Sequence, residues 1–249
     1  MIAYSVSDKG NMAKELVDSL KSLNRFVNRD NIVVFYTPPC SKQNYNNFTN
    51  YAIVEYVDNI IPPFKLKRGL PKSRYGEIIG HLGKISTTNV CILDCDTIIK
   101  KDLKELFNDD FDVAFRVATQ WKNIDKLKWE NLFEKNNKTP IPMPNKGFMV
   151  FKNNVHKKIM DKCIEYMNLD LPHVNPYNYQ KDQIALALAI SGYKLKFYNE
   201  NVHAYQWLGE NDEDTYVFHG HLLEDDEDTY NLPKKLKNWF IKQGLKIFK

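Results

Sequence analysis

Several absences narrow the field before any motif is considered. No apolar run approaches the roughly 20 residues that a membrane-spanning helix needs. The first residues, Met1 to Val6, read as a strand and not as a secretory signal peptide. Four cysteines, Cys40, Cys91, Cys95 and Cys163, show no C-x-x-C spacing. They indicate no zinc site, and reduced core or loop thiols of a cytoplasmic protein are expected. A net charge of +4 is too small to argue for a nucleic-acid partner. There is no internal repeat, no interior linker and, apart from an acidic stretch from Glu210 to Asp228, no low-complexity segment.

What is present is a hydrophobic content of 43% with 13% aromatics, enough for a sizeable core. Ile2–Ser7, Ile32–Tyr36 and Ala52–Val57 are strand-like. After the first, Ala13, Leu16, Val17, Leu20 and Leu23 follow helical spacing behind Asn11, a candidate cap. A helix is expected over about Arg74–Ile85, a buried strand from Val90 and a short helix over Lys101–Phe107. Phe111–Val117 and Phe148–Phe151 read as strands, separated by an irregular stretch with a short helix near Leu127–Phe133. Helices over Val155–Met167 and Gln180–Ile190 precede short strands at Tyr193–Tyr198 and Thr215–Phe218. Such alternation predicts an α/β fold, with a mixed, mainly parallel central sheet flanked by helices.

The reading centres on Val90-Cys91-Ile92-Leu93-Asp94-Cys95-Asp96-Thr97-Ile98-Ile99, an apolar run with two acids one residue apart. In extended backbone, residues two apart face the same way. Asp94 and Asp96 can then aim both carboxylates at one point, at the carboxyl end of a strand, where open α/β sheets bind ligands. Two carboxylates with phosphate oxygens suit a hard cation such as Mg²⁺ or Mn²⁺. Taken alone, the same pair fits a turn and a helix cap equally well.

Further segments follow in order. Ser5-Val6-Ser7-Asp8 ends the first strand. After the acid pair come Asn145-Lys146-Gly147-Phe148-Met149-Val150-Phe151, then Lys181-Asp182-Gln183-Ile184-Ala185-Leu186, then Tyr216-Val217-Phe218-His219-Gly220-His221. The ordered set resembles the GT-A-fold glycosyltransferases, and among them glycosyltransferase family 8, the glycogenin and bacterial galactosyltransferase type. The resemblance covers about Met1–His221 and implies a Rossmann-like GT-A catalytic domain over residues 1–222. It implies metal-dependent transfer of a sugar from a nucleotide donor, UDP-linked, to an acceptor hydroxyl on a glycan, a lipid-linked saccharide or a protein. Ser7 and Asp8 would lie beside the nucleotide base, and Arg74 on phosphate or donor sugar. Asp94 would contact ribose and metal, Asp96 the metal, and His219 or His221 would be the third protein ligand. Asn145 would hold the donor sugar from a turn, with Asp182 and Gln183 beside the reacting sugar. Two departures stand out. Lys146 replaces a small residue, and His219-Gly220-His221 leads into Leu222-Leu223-Glu224-Asp225-Asp226 where the family has Lys-Pro-Trp.

The chemistry has its own logic. A cation bridging diphosphate oxygens stabilises the charge that grows as the glycosidic bond breaks. Mixed carboxylate and imidazole ligation favours Mn²⁺ over Mg²⁺. Gly147 would let the backbone approach the sugar, and Asp182 could hold sugar hydroxyls or stabilise an oxocarbenium-like centre. A haloacid-dehalogenase-type phosphatase also uses Asp-x-Asp, but wants threonine where Ile98 stands. A non-catalytic nucleotide- or sugar-binding module on the same scaffold is the other alternative; the intact Asp94, Asp96 and Asp182 argue against it.

Residues 223–249 read as an acidic linker and a basic amphipathic C-terminal helix. The acidic part does not match an EF-hand loop. In the rest, Leu236, Trp239, Phe240, Ile241, Leu245, Ile247 and Phe248 interleave with lysines. Such a helix either docks on the domain or attaches peripherally to an anionic membrane.

Overall fold

The computed structural model describes residues 1–8, 11–58, 81–169, 171, 181–210 and 213–220. Arg74, His221 and the 223–249 tail therefore lie outside the described residues. The strands are β1 (Ile2–Val6), β2 (Ile32–Tyr36), β3 (Ile53–Tyr56), β4 (Val90–Leu93), β5 (Thr97–Ile99), β6 (Val113–Val117), β7 (Pro144–Phe151), β8 (Leu195–Tyr198), β9 (His203–Tyr205) and β10 (Val217–His219). The described α-helices are α1 (Met12–Leu23), α2 (Lys42–Thr49), α3 (Lys126–Lys135), α4 (Val155–Met167) and α5 (Lys181–Ile190). No helix among the described residues is long and apolar enough to cross a membrane.

Seven strands form the main sheet in the order β3-β2-β1-β4-β7-β6-β8. β7 runs antiparallel to both its neighbours, β4 and β6, and every other adjacent pair is parallel. The expected mixed, mainly parallel sheet is thus observed. Both faces are covered, which is why β1, β2 and β4 are almost wholly apolar. Along these strands alternate residues serve opposite cores. Ala3, Val33, Phe35 and Ile92 pack with Trp129 and Phe133 of α3, Ile159 of α4 and the apolar residues of α5. Tyr4, Val34, Tyr36, Cys91 and Leu93 pack with Leu16, Leu20 and Leu23 of α1. α5 is buried all along from Asp182 to Ile190, as a helix without a polar face must be. That burial carries the polar Asp182 and Gln183 inward with it.

Three expectations need correction. Val90–Ile99 is not one strand, because the chain turns at Asp94–Asp96 and β5 leaves for a second sheet, of order β5-β10-β9. Asn145-Lys146-Gly147 is strand, not turn. β7 begins at Pro144, which pairs with Val117 of β6 across a register irregularity, and proline is tolerated at the first residue of a strand. The Lys101–Phe107 helix is a shorter 3₁₀ segment, Leu103–Phe107. Asn11 does occupy the position before α1, although its side chain makes no cap hydrogen bond.

Candidate functional site

The acid pair lies on a turn pinned from several sides. Cys95 is buried and its thiol donates to the carbonyl of Ser5, tying the turn to the end of β1. Asp94 N–H donates to Gly147 O at 2.8 Å, and Thr97 Oγ1 donates to Asp94 O at 2.8 Å. Gly220 N–H donates to Asp96 O at 2.9 Å. The antiparallel register of β5 and β10 sets His219 opposite Thr97. Its Nε2 stands 3.3 Å from Asp96 Oδ1 and 3.7 Å from Asp94 Oδ2. The carboxylates converge because of the turn and the neighbouring strand, not because of extended backbone.

The three ligand atoms lie within 4.8 Å of one another. In an octahedral site with bonds of about 2.1 Å, adjacent ligand atoms stand about 3 Å apart, so this donor set fits a divalent cation with small adjustments. The imidazole is nearly buried, at 6% exposure, while the carboxyl side chains are about one-third exposed, so the group opens on its acidic side. Burial alone would lower the His219 pKa, but the charge and hydrogen bond of Asp96, with Asp94, outweigh it and raise the net value. Burial works against ionised Asp96 in turn, and His219 holds its pKa below the ordinary value.

The other edge of His219 faces protein. Its Nδ1 lies 2.9 Å from Nε2 of the fully buried His203, and the ring planes differ by 9°. Tyr205 and Trp207 also border the His219 ring. Arg116 of β6 reinforces this wall: its guanidinium forks onto Glu210 at 2.5 and 2.6 Å, covers the Tyr205 ring and donates to the His203 carbonyl. Neither His203 nor Arg116 was anticipated. The one local hint was a histidine in a short alternating segment, His203-Ala204-Tyr205, and its meaning depends on the β9–β10 pairing.

Asn145 Oδ1 accepts from the Gly147 N–H at 2.7 Å, bracing β7 where it passes the acid turn. Next along, Lys146 reaches Asp182 at the first turn of α5, Nζ to Oδ2 3.5 Å. That distance gives charge attraction without hydrogen-bond geometry. Both Asp182 oxygens, Gln183 Oε1 and Ser7 Oγ are buried with no hydrogen-bond partner among the described residues. Burial pushes the Asp182 pKa up despite Lys146, and the charge of nearby Asp94 adds to the rise. Leaving such groups unpaired costs about 1–3 kcal/mol each, an arrangement that makes sense where a polar ligand supplies the missing partners.

Asp8 lies at the carboxyl end of β1, where Oδ1 accepts from Tyr36 OH and, at 2.8 Å, from Asn44 Nδ2. Burial opposes its ionisation, yet these hydrogen bonds hold its pKa below the usual value, and the Tyr36 hydroxyl is pushed up to about 12. Asp8 is therefore a fixed anion. The structure thus brings Asp94, Asp96 and His219 together; Asn145 braces the adjoining β7, Asp182 at the start of α5 feels the Asp94 charge, and Ser7 and Asp8 follow the carboxyl end of β1.

Residues 82–207, just over half of the chain, match the family described as glycosyl transferase family 8. No curated protein sequence matches. Among solved structures, the galactosyltransferase LgtC in complex with donor and acceptor sugar analogues is 15% identical, with a TM-score of 0.63, covering 97% of this chain and 95% of that one. The glycosyltransferase GlyE of Streptococcus pneumoniae TIGR4 is 13% identical, with a TM-score of 0.57, covering 97% of this chain and 63% of that one. Mouse xyloside xylosyltransferase 1 is 11% identical, with a TM-score of 0.54, covering 88% and 96%. At these identities the likeness speaks for the GT-A fold alone, and the family match adds membership: the chain is a glycosyltransferase and belongs to glycosyl transferase family 8.

Proposed function

We propose that the enzyme moves a sugar from a UDP-linked donor to an acceptor hydroxyl in an Mn²⁺-dependent reaction. The observation that carries the reading is the meeting of Asp94 and Asp96, on the turn between β4 and β5, with His219 of β10 within 4.8 Å. These three would hold the cation, which when bound supplies positive charge beside the diphosphate leaving group. The imidazole favours Mn²⁺ over Mg²⁺.

Asp8 supports the choice of base. A carboxylate kept ionised there accepts from the N3–H of uracil and repels the N3 lone pair of cytosine. Asp182 and Gln183, with unpaired buried oxygens, would accept donor-sugar hydroxyls and orient the reacting carbon, with Asn145 close by on β7. Lys146 would hold Asp182 in place and moderate its charge. Arg74 and His221 keep their proposed roles on phosphate and metal, outside the described residues. For residues 223–249, also outside them, we propose a basic surface that brings the enzyme to an anionic membrane carrying a lipid-linked acceptor. Co-sedimentation with anionic liposomes, with and without the tail, tests this, and equal binding ends it.

The central test is incubation with a panel of nucleotide sugars, with Mn²⁺ or with a chelator, and detection of released nucleoside diphosphate. Release should need UDP-sugar and Mn²⁺, and Asp96→Ala should lower it by about 100-fold or more. Full activity in chelator, or in Asp96→Ala, would sink the metal assignment. Binding of nucleotide with no turnover under any donor and acceptor would favour the non-catalytic alternative.

A further inference from the structure

We infer that His203 is a positioning residue for the cation site, the acceptor that lets His219 offer its Nε2 lone pair to a metal. The inference rests on the proposed metal reading and goes one shell beyond it.

A neutral imidazole has one N–H and one lone pair. On His219, Nε2 faces both carboxylates and Nδ1 faces His203 Nε2 at 2.9 Å. A cation can use Nε2 only when the His219 proton sits on Nδ1. That proton needs an acceptor, since the ring is buried. Among the described residues His203 Nε2 is the acceptor within reach, so the proton of His203 must then sit on its own Nδ1. In the reverse arrangement His203 donates, His219 carries its proton on Nε2, and the site is closed to a cation. The two rings therefore act as one unit.

The surroundings keep that unit in place. Phe148 meets His203 edge-on at 5.4 Å and Tyr205 at 4.7 Å. The His203 backbone is held by Arg116, and Gly147 leaves no room for His219 to shift toward β7. His203 Nδ1 has no hydrogen-bond partner among the described residues. A purely structural role would be served better by an apolar side chain, which would bury no unpaired nitrogen. Metal-bound histidines regularly donate their second N–H to an oxygen; here a second histidine takes that place.

The test compares His203→Gln, whose amide oxygen can still accept, with His203→Leu, which cannot. Mn²⁺ affinity is read from the free-ion EPR signal, and imidazole ligation from ¹⁴N coupling to bound Mn²⁺ in spin-echo spectra. His203→Gln should stay within a few-fold of the unmodified protein and keep the ¹⁴N signature. His203→Leu should bind about 10–100-fold more weakly and lose it. A His203→Leu protein that melts cooperatively, binds Mn²⁺ like the unmodified protein and keeps the ¹⁴N coupling overturns the inference. Should that variant not fold, long-range ¹H–¹⁵N spectra of the ¹⁵N-histidine-labelled unmodified protein with Zn²⁺ decide. A proton on His203 Nδ1 supports the inference and one on Nε2 overturns it. If the unmodified protein binds no Mn²⁺ at all, the metal reading itself falls, a result distinct from equal binding by all three proteins.

Discussion

Gly147 and His219 stand so close that a methyl group on Gly147 would lie 2.0 Å from His219 Cε1 and 2.8 Å from Nδ1. The missing side chain of Gly147 leaves room for the imidazole, a role separate from the proposed approach of this backbone to a sugar. Its requirement is space, not an unusual backbone conformation. Gly147→Ala must displace His219 or β7, and both are held: β7 by β4 and β6, His219 by β5 and β9. We expect a loss of about 1–3 kcal/mol in stability and about 10–100-fold in Mn²⁺ affinity, read by denaturant melts and metal titration. Gly83→Ala is the control. Among the described residues the added carbon there meets the flexible end of Met160, at 2.6 and 2.8 Å, and Mn²⁺ affinity should not change.

Asp182 illustrates a conflict between stability and function. Burial raises its pKa above the ordinary 3.8 of a free aspartate. A carboxyl whose folded-state pKa is raised favours folding most below the unfolded value, and that advantage is lost as pH rises through the folded-state value. At neutral pH the full penalty is present. Asp182→Asn should therefore stabilise the protein by about 1 kcal/mol near neutrality, with the gap closing below pH 3.8. It should also reduce sugar transfer by about 100-fold while Mn²⁺ binding holds. Unchanged transfer would remove Asp182 from the donor site.

The sequence disclosed the parts whose signal is local. β2 and α4 fall on the expected residues because an all-apolar pentapeptide and a clean helical stripe report burial directly. The acids at 94 and 96 were visible through their place after such a run. α2 was missed because its polar sequence, Lys-Gln-Asn-Tyr-Asn-Asn-Phe-Thr, has only two large apolar side chains, of which Phe48 alone is fully buried, too few to stand out as a helical stripe. Asn145-Lys146-Gly147 has turn-forming composition; it runs as strand between the Pro144 and Met149 pairings with β6, with Gly147 O accepting from Asp94 N–H on the other side. The His203–His219 contact spans 16 residues and two strands of a small sheet, so no local pattern encodes it.

The Arg116–Glu210 fork yields a pH prediction. Burial opposes ionisation of Glu210, but Arg116 and the Tyr205 N–H hold its pKa below 4.5. A depressed carboxylate contributes its full stability above the unfolded pKa and loses it as pH falls through the folded value. The unmodified protein should thus lose stability as pH drops below 4.5, and Glu210→Gln should flatten that part of the profile. The side chains are only 14% and 19% exposed, so Arg116→Ala should cost on the order of 3 kcal/mol at neutral pH. Arg116→Lys cannot rebuild the fork and should recover little. Equilibrium unfolding across the acid range checks each point.

Asp8 offers a test of base selection by a substitution that keeps its local hydrogen bonds. Its Oδ1 accepts from Tyr36 and Asn44, and an asparagine oxygen can take over both contacts. Asp8→Asn removes the charge and replaces one acceptor with a donor amide. An N3–H···carboxylate hydrogen bond contributes roughly 1.5–3 kcal/mol, so UDP with Mn²⁺ should bind about tenfold or more weakly to the variant. CDP, which presents a lone pair at N3, should gain, because repulsion by the carboxylate becomes attraction to the amide. Calorimetric titration of both nucleotides into both proteins measures the four affinities. A variant that keeps the UDP preference of the unmodified protein would place the base away from Asp8 and reopen the choice of donor nucleotide.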